Sequence, residues 1–495
     1  MIELNIWGDT IRIKRTLTYY SLLFIFSLIL QRGAGVLTKL VLANSITPYE
    51  YGLITLVAIS LPGMFQLLTN LNFYHMLSHS QEGKKYFGFT LVCSIFLMII
   101  ISVLLFFSSD VFFDYLNLPL EQKWLFYTVI VVSMFFMSII IDFQGLFAGL
   151  KMYSVPSIIM ALPSMVRLIV ILLLFLSDIC SFEIILFVFA ISNAIPLLFI
   201  VFSRQHRKSF ALIKSIKIPS KKIFAFGLSL FVVSSFSTIG QSIIKIVLSH
   251  NLGVTWQGYY DISLTLASLL LFSLGTMNYV SVPEATTSKK EDIYKNGGLG
   301  DVSRGLFSFM FYLIIVLYFY SEFIVKTLFS AEYVIASDYI FILAIGYLFL
   351  FIQNFLASLN LSFADKKMDY IIYTLIPLLI LPLFFFLTEF LMALFKEYGY
   401  GNGFLGAYIS CTSLYILFAI VTILFSKDLE PLKNLLIMID KLIISSLATA
   451  LVLYILNPPA LIGLLLSAII FSALTLKTGY IKKEFIYDLF GKSKK

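Results

Sequence analysis

Charge is scarce in this chain. Only 13% of its 495 residues are charged, against 60% that are hydrophobic, and the mean hydropathy is +0.97. A soluble domain carries roughly 25% charged and 45–50% apolar residues, because its surface must be solvated. The composition therefore excludes an ordinary soluble protein. It also excludes a nucleic-acid binder: the formal net charge is +8, but so few charges in all read as membrane topology and not as a basic face. Cysteine is nearly absent. Cys93, Cys180 and Cys411 stand apart within apolar runs, with no CxxC, which argues against a disulfide framework or a zinc site. The four histidines are dispersed, and no GxxxxGK[ST] is present, so nothing points to a nucleotide-binding loop. No cleavable leader is expected, because the first apolar run is too long and lacks a small-residue cleavage site.

What the chain does have is long apolar runs. A spanning helix needs about 20 apolar residues to cross a hydrocarbon core about 30 Å thick. Inside it every backbone polar group must be satisfied internally, so the runs should be helices. Fourteen fit, near 17–43, 50–77, 86–108, 123–150, 153–177, 182–203, 222–249, 256–283, 304–328, 335–363, 370–395, 403–426, 435–456 and 459–477. The last two are separated by Asn457-Pro458-Pro459.

Lys and Arg fall on one set of alternate loops. The N-terminal stretch, the loops near 84–85, 151, 204–222, 289–304, 366–367 and 427–441, and the tail hold 28 of the 35 basic residues. Only Lys123, Lys326 and Lys396 fall on the other side. The positive-inside bias puts both termini in the cytoplasm, and the expected location is the plasma (inner) membrane. The outer loops are too short for a folded domain.

The chain also echoes itself. Lys39-Leu-Val-Leu-Ala43 followed by Gly52 matches Lys245-Ile-Val-Leu-Ser249 followed by Gly258 at a constant offset of 206. Phe147-Ala148 with Lys151-Met152 matches Phe363-Ala364 with Lys367-Met368 at 216. Six spans separate the copies, an even number, so the repeat is parallel, about an axis along the membrane normal. Such repeats put a substrate site between halves that rock in alternation. The expected organisation is an N-terminal lobe at 1–203, a basic linker at 204–221, a C-terminal lobe at 222–426, and two extra spans with a basic tail at 427–495.

Four bases remain inside spans: Arg32, Lys39, Arg167 and Lys245. Embedded ionisable groups are expensive, and each is a functional candidate. Arg32 lies deep in the first span beside Gln31, Gly33 and Gly35; Arg167 is deep in the fifth. Lys39 and Lys245 are repeat equivalents near the outer ends of their spans, where snorkelling is the competing explanation. Against these stand two embedded acids. Asp142, in the inner half of the fourth span, is either the partner of Arg167 in a buried pair or a coupling site for H+ or Na+. Asp261, early in the eighth span, is placed to neutralise Lys245. Four bases against two acids favour an anionic substrate, and arginine grips phosphate with two parallel hydrogen bonds.

Short motifs between the spans carry a resemblance. Ile46-Thr-Pro-Tyr-Glu-Tyr-Gly52 resembles the loop that opens the second span of polysaccharide-transport proteins, members of the multidrug/oligosaccharidyl-lipid/polysaccharide exporter superfamily. Leu252-Gly253, Gly258-Tyr259-Tyr260 and Pro283 resemble its second-half counterpart. Leu328-Phe-Ser-Ala-Glu332-Tyr333 and Gly403-Phe-Leu-Gly406-Ala407 are similar to later loops of that family. The resemblance runs from about 15 to 480. It implies an all-α membrane protein with two six-helix lobes in a V and two added helices. The implied activity is that of a flippase for lipid-linked oligosaccharides of the O-antigen, lipopolysaccharide or capsule kind, working with the bilayer and with polysaccharide-assembly partners. Family members often carry basic cavity residues, and Arg32 matches that position. The second half departs, because Lys245 stands where an acidic-basic pair is common, so the family's coupling behaviour is not assumed and H+ or Na+ coupling stays open. No other cofactor is implied. The competing functions are a multidrug cation antiporter, which would want more embedded carboxylates, and a lipid II flippase, which would want more deep arginines. A membrane polymerase, ligase or glycosyltransferase would need a catalytic constellation, and none is visible.

Overall fold

The computed structural model describes residues 26–27, 29–70, 77, 85–150, 154–177, 179, 181–202, 213, 216–271, 298–362, 367–399, 401–426, 429, 432–433, 436–437 and 439–481. Among them there is no strand. The helices are α1 (29–43), α2 (Pro48–Asn70), α3 (Phe87–Tyr115), α4 (Lys123–Gly149), α5 (Ser154–Leu176), α6 (Phe182–Ser192), α7 (Ile195–Phe202), α8 (Lys221–Leu252), α9 (Val254–Ala267), α10 (Gly298–Leu328), α11 (Ile340–Ser362), α12 (Lys367–Glu397), α13 (Phe404–Phe425), α14 (Ile439–Leu456) and α15 (Ala460–Lys477). Among the described residues eleven helices are long and apolar enough to cross a membrane, and α8, bent by 44°, makes a twelfth. The other two expected spans, 17–43 and 256–283, extend outside the described residues; their described parts, α1 and α9, are helical.

Large apolar side chains on these helices face outward. Phe107 is 81% exposed and Leu176 is 82% exposed. A soluble protein would not leave such surface in water, so these faces meet lipid.

Local sequence sets the helix ends. Thr47 caps α2: its hydroxyl accepts from Glu50 N, and the Glu50 carboxylate accepts from Thr47 N at 3.0 Å. With Pro48 in the first turn this is a complete capping box. Ser181 and Ser220 cap α6 and α8 in the simpler way. α8 stops at Gly253, whose φ of 93° suits a residue without a Cβ. Proline interrupts the span Phe182–Phe202 without ending it: the helix breaks at Asn193-Ala194 and resumes at Ile195-Pro196, because Pro196 has no N–H to continue the ladder.

The chain divides into two compact units. The first holds Met1–Gly258 and Tyr373–Leu381, and the second holds Tyr259–Ile372 and Pro382–Lys495. The repeat halves at 1–203 and 222–426 describe sequence symmetry, whereas these units describe packing. In the first unit α4 is the hub, in contact with α2, α3, α5 and α6. Its core includes Phe87, Met98, Met134, Phe143 and Phe147, all buried, and the Phe87 and Phe143 rings meet edge to face at 5.0 Å. In the second unit α11 lies along α13, and α14 and α15 pack on α10. Tyr408 fixes that interior: its ring meets Tyr260 at 5.1 Å, and its hydroxyl bonds Ser263 at 2.7 Å.

Candidate functional site

Three clusters of polar residues lie within the first unit. The first joins α2 to α8 and α9. Ser242, Lys245 and Ser249 fall on one face of α8, at helical spacings of three and four. Lys245 is buried, and its Nζ donates to Ser60 Oγ at 2.9 Å. Ser242 Oγ donates to Ser60 O at 3.4 Å, and Ser249 Oγ to Leu116 O at 2.5 Å. Asn117, at the end of α3, donates to both Ser249 O and His250 O at 2.8 Å. The His250 ring stacks on Tyr115 with centroids 3.9 Å apart. Ser60 closes a π-helical segment, Thr55–Ser60, and returns its own hydroxyl to Thr55 O at 2.9 Å. A π segment widens the helix by one residue and recurs at functional sites.

The repeat-related glycines meet here. A Cβ on Gly258 would come 2.9 Å from Pro48 O and 3.3 Å from Gly52 Cα, and one on Gly52 would collide with the Val254 carbonyl. Beside them Gln257 Nε2 donates to Thr55 Oγ1 at 3.2 Å. Glycine is required at 52 and 258 because two helix backbones touch.

The second cluster sits at the break between α6 and α7. Arg167 on α5 donates through Nε and Nη2 to Ser192 Oγ at 3.2 and 3.1 Å, and through Nη2 to Asn193 Oδ1 at 3.2 Å. Its guanidinium lies 4.2 Å from the Phe189 ring centroid, a cation–π contact. The residue is only half-buried. A guanidinium has five N–H donors, and among the described residues nothing accepts from Nη1.

The third cluster contains Asp142. Asn70 Nδ2 donates to Asp142 Oδ1 at 3.0 Å and to Ser138 O at 3.2 Å, and Thr69 and Ser138 share a hydroxyl bond of 2.6 Å. Asp142 and Arg167 are therefore not partners: the acid belongs to α2, and the base to the α6–α7 break. Rotation of each helix decides this. Ser138 and Asp142 are one turn apart and face Thr69 and Asn70, a match of polar faces between helices that are not neighbours in the chain.

The remaining expected residues are placed as follows. Arg32 and Lys39 are half-buried on α1, seven residues and so about 10 Å apart on one face. Among the described residues, a Cβ on Gly33 or Gly35 would meet nothing within 4 Å. Asp261 is buried in the second unit, where its carbonyl accepts from Thr265. Sequence reasoning missed Ser60 and Ser192, since a lone serine in an apolar run carries no pattern. Among the described residues no group of three His, Cys, Asp or Glu could hold a metal.

Residues 21–287, more than half of the chain, match the polysaccharide biosynthesis protein family. The chain belongs to that family. Among curated proteins none matches it significantly. Its fold is similar to that of lipid II flippase MurJ in an inward closed conformation, with a TM-score of 0.62 and 16% identity over 95% of this chain and 100% of that one. It is also similar to a multidrug resistance MATE family transporter of the MOP superfamily. The inward-facing form gives a TM-score of 0.56 at 13% identity, over 82% of this chain and 97% of that one. The outward-facing form gives 0.55 at 13% identity, over 83% and 94%. This family member is thus a multi-pass, all-helical membrane protein with the fold shared by flippases and exporters.

Proposed function

We propose that this protein is a flippase that moves a lipid-linked oligosaccharide, carried on a polyprenyl diphosphate, from the cytoplasmic to the outer leaflet for surface polysaccharide assembly. It sits in the plasma membrane with both termini in the cytoplasm, and it is a transporter and not an enzyme. The observation that carries the reading is the Arg167 fork. It is held in place by Ser192, Asn193 and Phe189 at a helix break, yet keeps Nη1 available to donate. Broken transmembrane helices recur where transporters bind substrate, and guanidinium is matched to diphosphate oxygens.

Arg32 and Lys39 on α1 extend the cationic path. Lys245, engaged by Ser60 in this conformation, joins it when α8 parts from α2. The lipid tail stays in the bilayer while the charged head passes along these groups, which offset the loss of hydration around the phosphates. Rocking follows from the ligand's different affinity for the two states.

The test is a deletion strain. Lipid-linked oligosaccharide should accumulate facing the cytoplasm while surface polysaccharide disappears. Wild type should rescue both, and Arg32→Ala should rescue neither although it reaches the membrane. Arg32→Lys should retain partial export if charge alone matters, and little if the fork is needed. Unchanged surface glycan in the deletion strain overturns the substrate class.

A second reading, flipping of lipid II, is favoured by the similarity to MurJ over 95% of the chain. It shares the diphosphate chemistry. It predicts that the deletion strain accumulates peptidoglycan precursor in place of oligosaccharide.

A further inference from the structure

α3 and α8 both start beside basic loops, near 84–85 and 204–222, and both end on the opposite face. There the two C-termini meet. A helix C-terminus carries about half a negative charge and leaves its last four carbonyls without partners in its own ladder. Two such ends side by side repel unless something donates to them. α3 closes its inner carbonyls by itself. Asn117 takes the left-handed conformation, with φ 54°. Its N–H donates to Asp114 O, and that of Leu118 to Phe113 O, both at 2.9 Å, which makes a Schellman closure. The next two carbonyls are met by α8. Leu116 O accepts from Ser249 Oγ at 2.5 Å, and Tyr115 O from His250 Nδ1 at 2.8 Å. A carbonyl only accepts, so this Nδ1 carries the hydrogen. The exchange runs both ways, because the Asn117 amide donates to Ser249 O and His250 O. Each helix thus caps the other. The Tyr115 and His250 rings stack over the joint, 11° from parallel.

The chemistry of this joint is reversible. Ser249 is buried, but Asn117 and His250 are exposed, so water reaches the rim and replaces the bonds as they part. Hydrogen bonds exchanged for water bonds change the free energy little. The backbone contact at Gly52 and Gly258 has no such substitute. The repeat does not carry the joint with it. At the offset of 206, Ala43 and Asn44 of α1 stand where α8 has Ser249 and His250, and the Asn44 amide donates to Leu40 O of its own helix at 2.9 Å. The Ser-His pair is particular to α8. Both helix ends lie in the first packing unit, although α3 belongs to the first sequence repeat and α8 opens the second.

We propose that the reciprocal caps of α3 and α8 form a releasable clasp, which sets how often α8 parts from α2. Lys245 lies one turn below Ser249 on the same face of α8 and donates to Ser60. Parting of this face from Ser60 therefore requires the end of α8 to leave α3. Each clasp bond favours the closed state, and its removal shifts the population toward the open one. The clasp acts on opening, and it is independent of which lipid-linked cargo is carried.

The test uses full-length protein in lipid nanodiscs with the substitution Ser242→Cys. Ser242 is buried and donates to Ser60 O. It lies ten residues from the end of α8, nearly three turns, so fraying of the last turn does not reach it. The rate of maleimide labelling there, less that of the parent with its natural cysteines, reports how often α8 parts from α2. Asn117→Gly keeps the left-handed turn and removes the amide; His250→Ala removes the ring. Each should speed labelling by about fivefold, the effect of one hydrogen bond, and the two together by about twenty-fivefold. Asn44→Ala, at the matching end of α1, should leave the rate as it was. Unchanged labelling in Asn117→Gly and His250→Ala overturns the proposal; with a lower melting temperature, it makes the contact a pair of helix caps and nothing more. An equal gain in Asn44→Ala overturns it too, since general loosening would be the cause. Should Ser242→Cys fail to accumulate, Leu116→Cys, buried on the α3 side of the joint, carries the same comparison. Faster labelling in a protein that exports no lipid-linked glycan leaves the clasp standing and counts against the flippase reading alone.

Discussion

Lys245 and Arg167 are both embedded cations, yet the structure treats them in opposite ways. Lys245 is buried where α8 touches α2, and its ammonium rests on the hydroxyl of a π segment. Arg167 is half-buried at a broken helix, has three hydrogen bonds and a ring beneath it, and still has a nitrogen available. A compact ammonium suits a tight polar notch, whereas a planar fork spans several acceptors and keeps donors to spare. In this conformation the difference separates a cation that holds a helix contact from a cation presented to a ligand; Lys245 joins the path only when α8 parts from α2.

The sharpest way to break that contrast is Arg167→Ala. Removing a desolvated, hydrogen-bonded charge costs about 2–5 kcal/mol in recognition. Export should therefore fall by more than tenfold, roughly, at 1.4 kcal/mol per decade. Lys245→Met, which keeps the stem and drops the charge, should retain far more export at equal membrane abundance. Equal loss in the two variants, measured as surface polysaccharide, would erase the distinction.

Packing around Lys245 supplies the next test. Gly258→Ala inserts a methyl 2.9 Å from Pro48 O, and overpacking of this kind costs about 1–3 kcal/mol. A lower melting temperature of the purified protein is expected. Ala substitution at Gly33, where a Cβ meets nothing within 4 Å among the described residues, should leave it unchanged. Ser60→Ala is milder: it removes one acceptor from a buried ammonium, at about 1–2 kcal/mol. If the α2–α8 contact holds one conformation, the same variant should also ease the reactivity of a cysteine probe introduced at Thr55.

The contrast also shows what the sequence made legible. The bilayer forces apolar helices, so most spans could be placed from hydropathy. The Thr47–Glu50 capping box and the matched Gly52 and Gly258 could be read because cap chemistry and close backbone contact each demand particular residues. The partner of Asp142 could not be found from chain order, since the rotation of α4 points Asp142 at Asn70 and away from α5. The break at Asn193 had a signal in Pro196, but a continuous apolar run concealed it. Ser60 was beyond reach, because a lone serine in an apolar run reveals neither the π segment it ends nor its long-range contact with Lys245.

The smallest effects belong to the second unit, at its connection between α10 and α11. Lys326 and Glu322 form an exposed pair one helical turn apart at 2.5 Å. Asp338 lies near Glu322, and partial burial, with Glu322 adding to it, raises the Asp338 carboxyl above the usual carboxylate range. Lys326→Ala should cost no more than about 0.5 kcal/mol, as solvent-exposed pairs do. The sign at Asp338 is opposite. Its unfolded form loses a proton at lower pH than its folded form, so stability is present in acid and is lost as pH rises through the folded value. Asp338→Asn should therefore raise the melting temperature slightly at neutral pH and not in acid. Because the group is largely exposed, a large gain would mean that Asp338 is held more deeply than its surface position implies, and this connection would then belong with the buried clusters of the first unit.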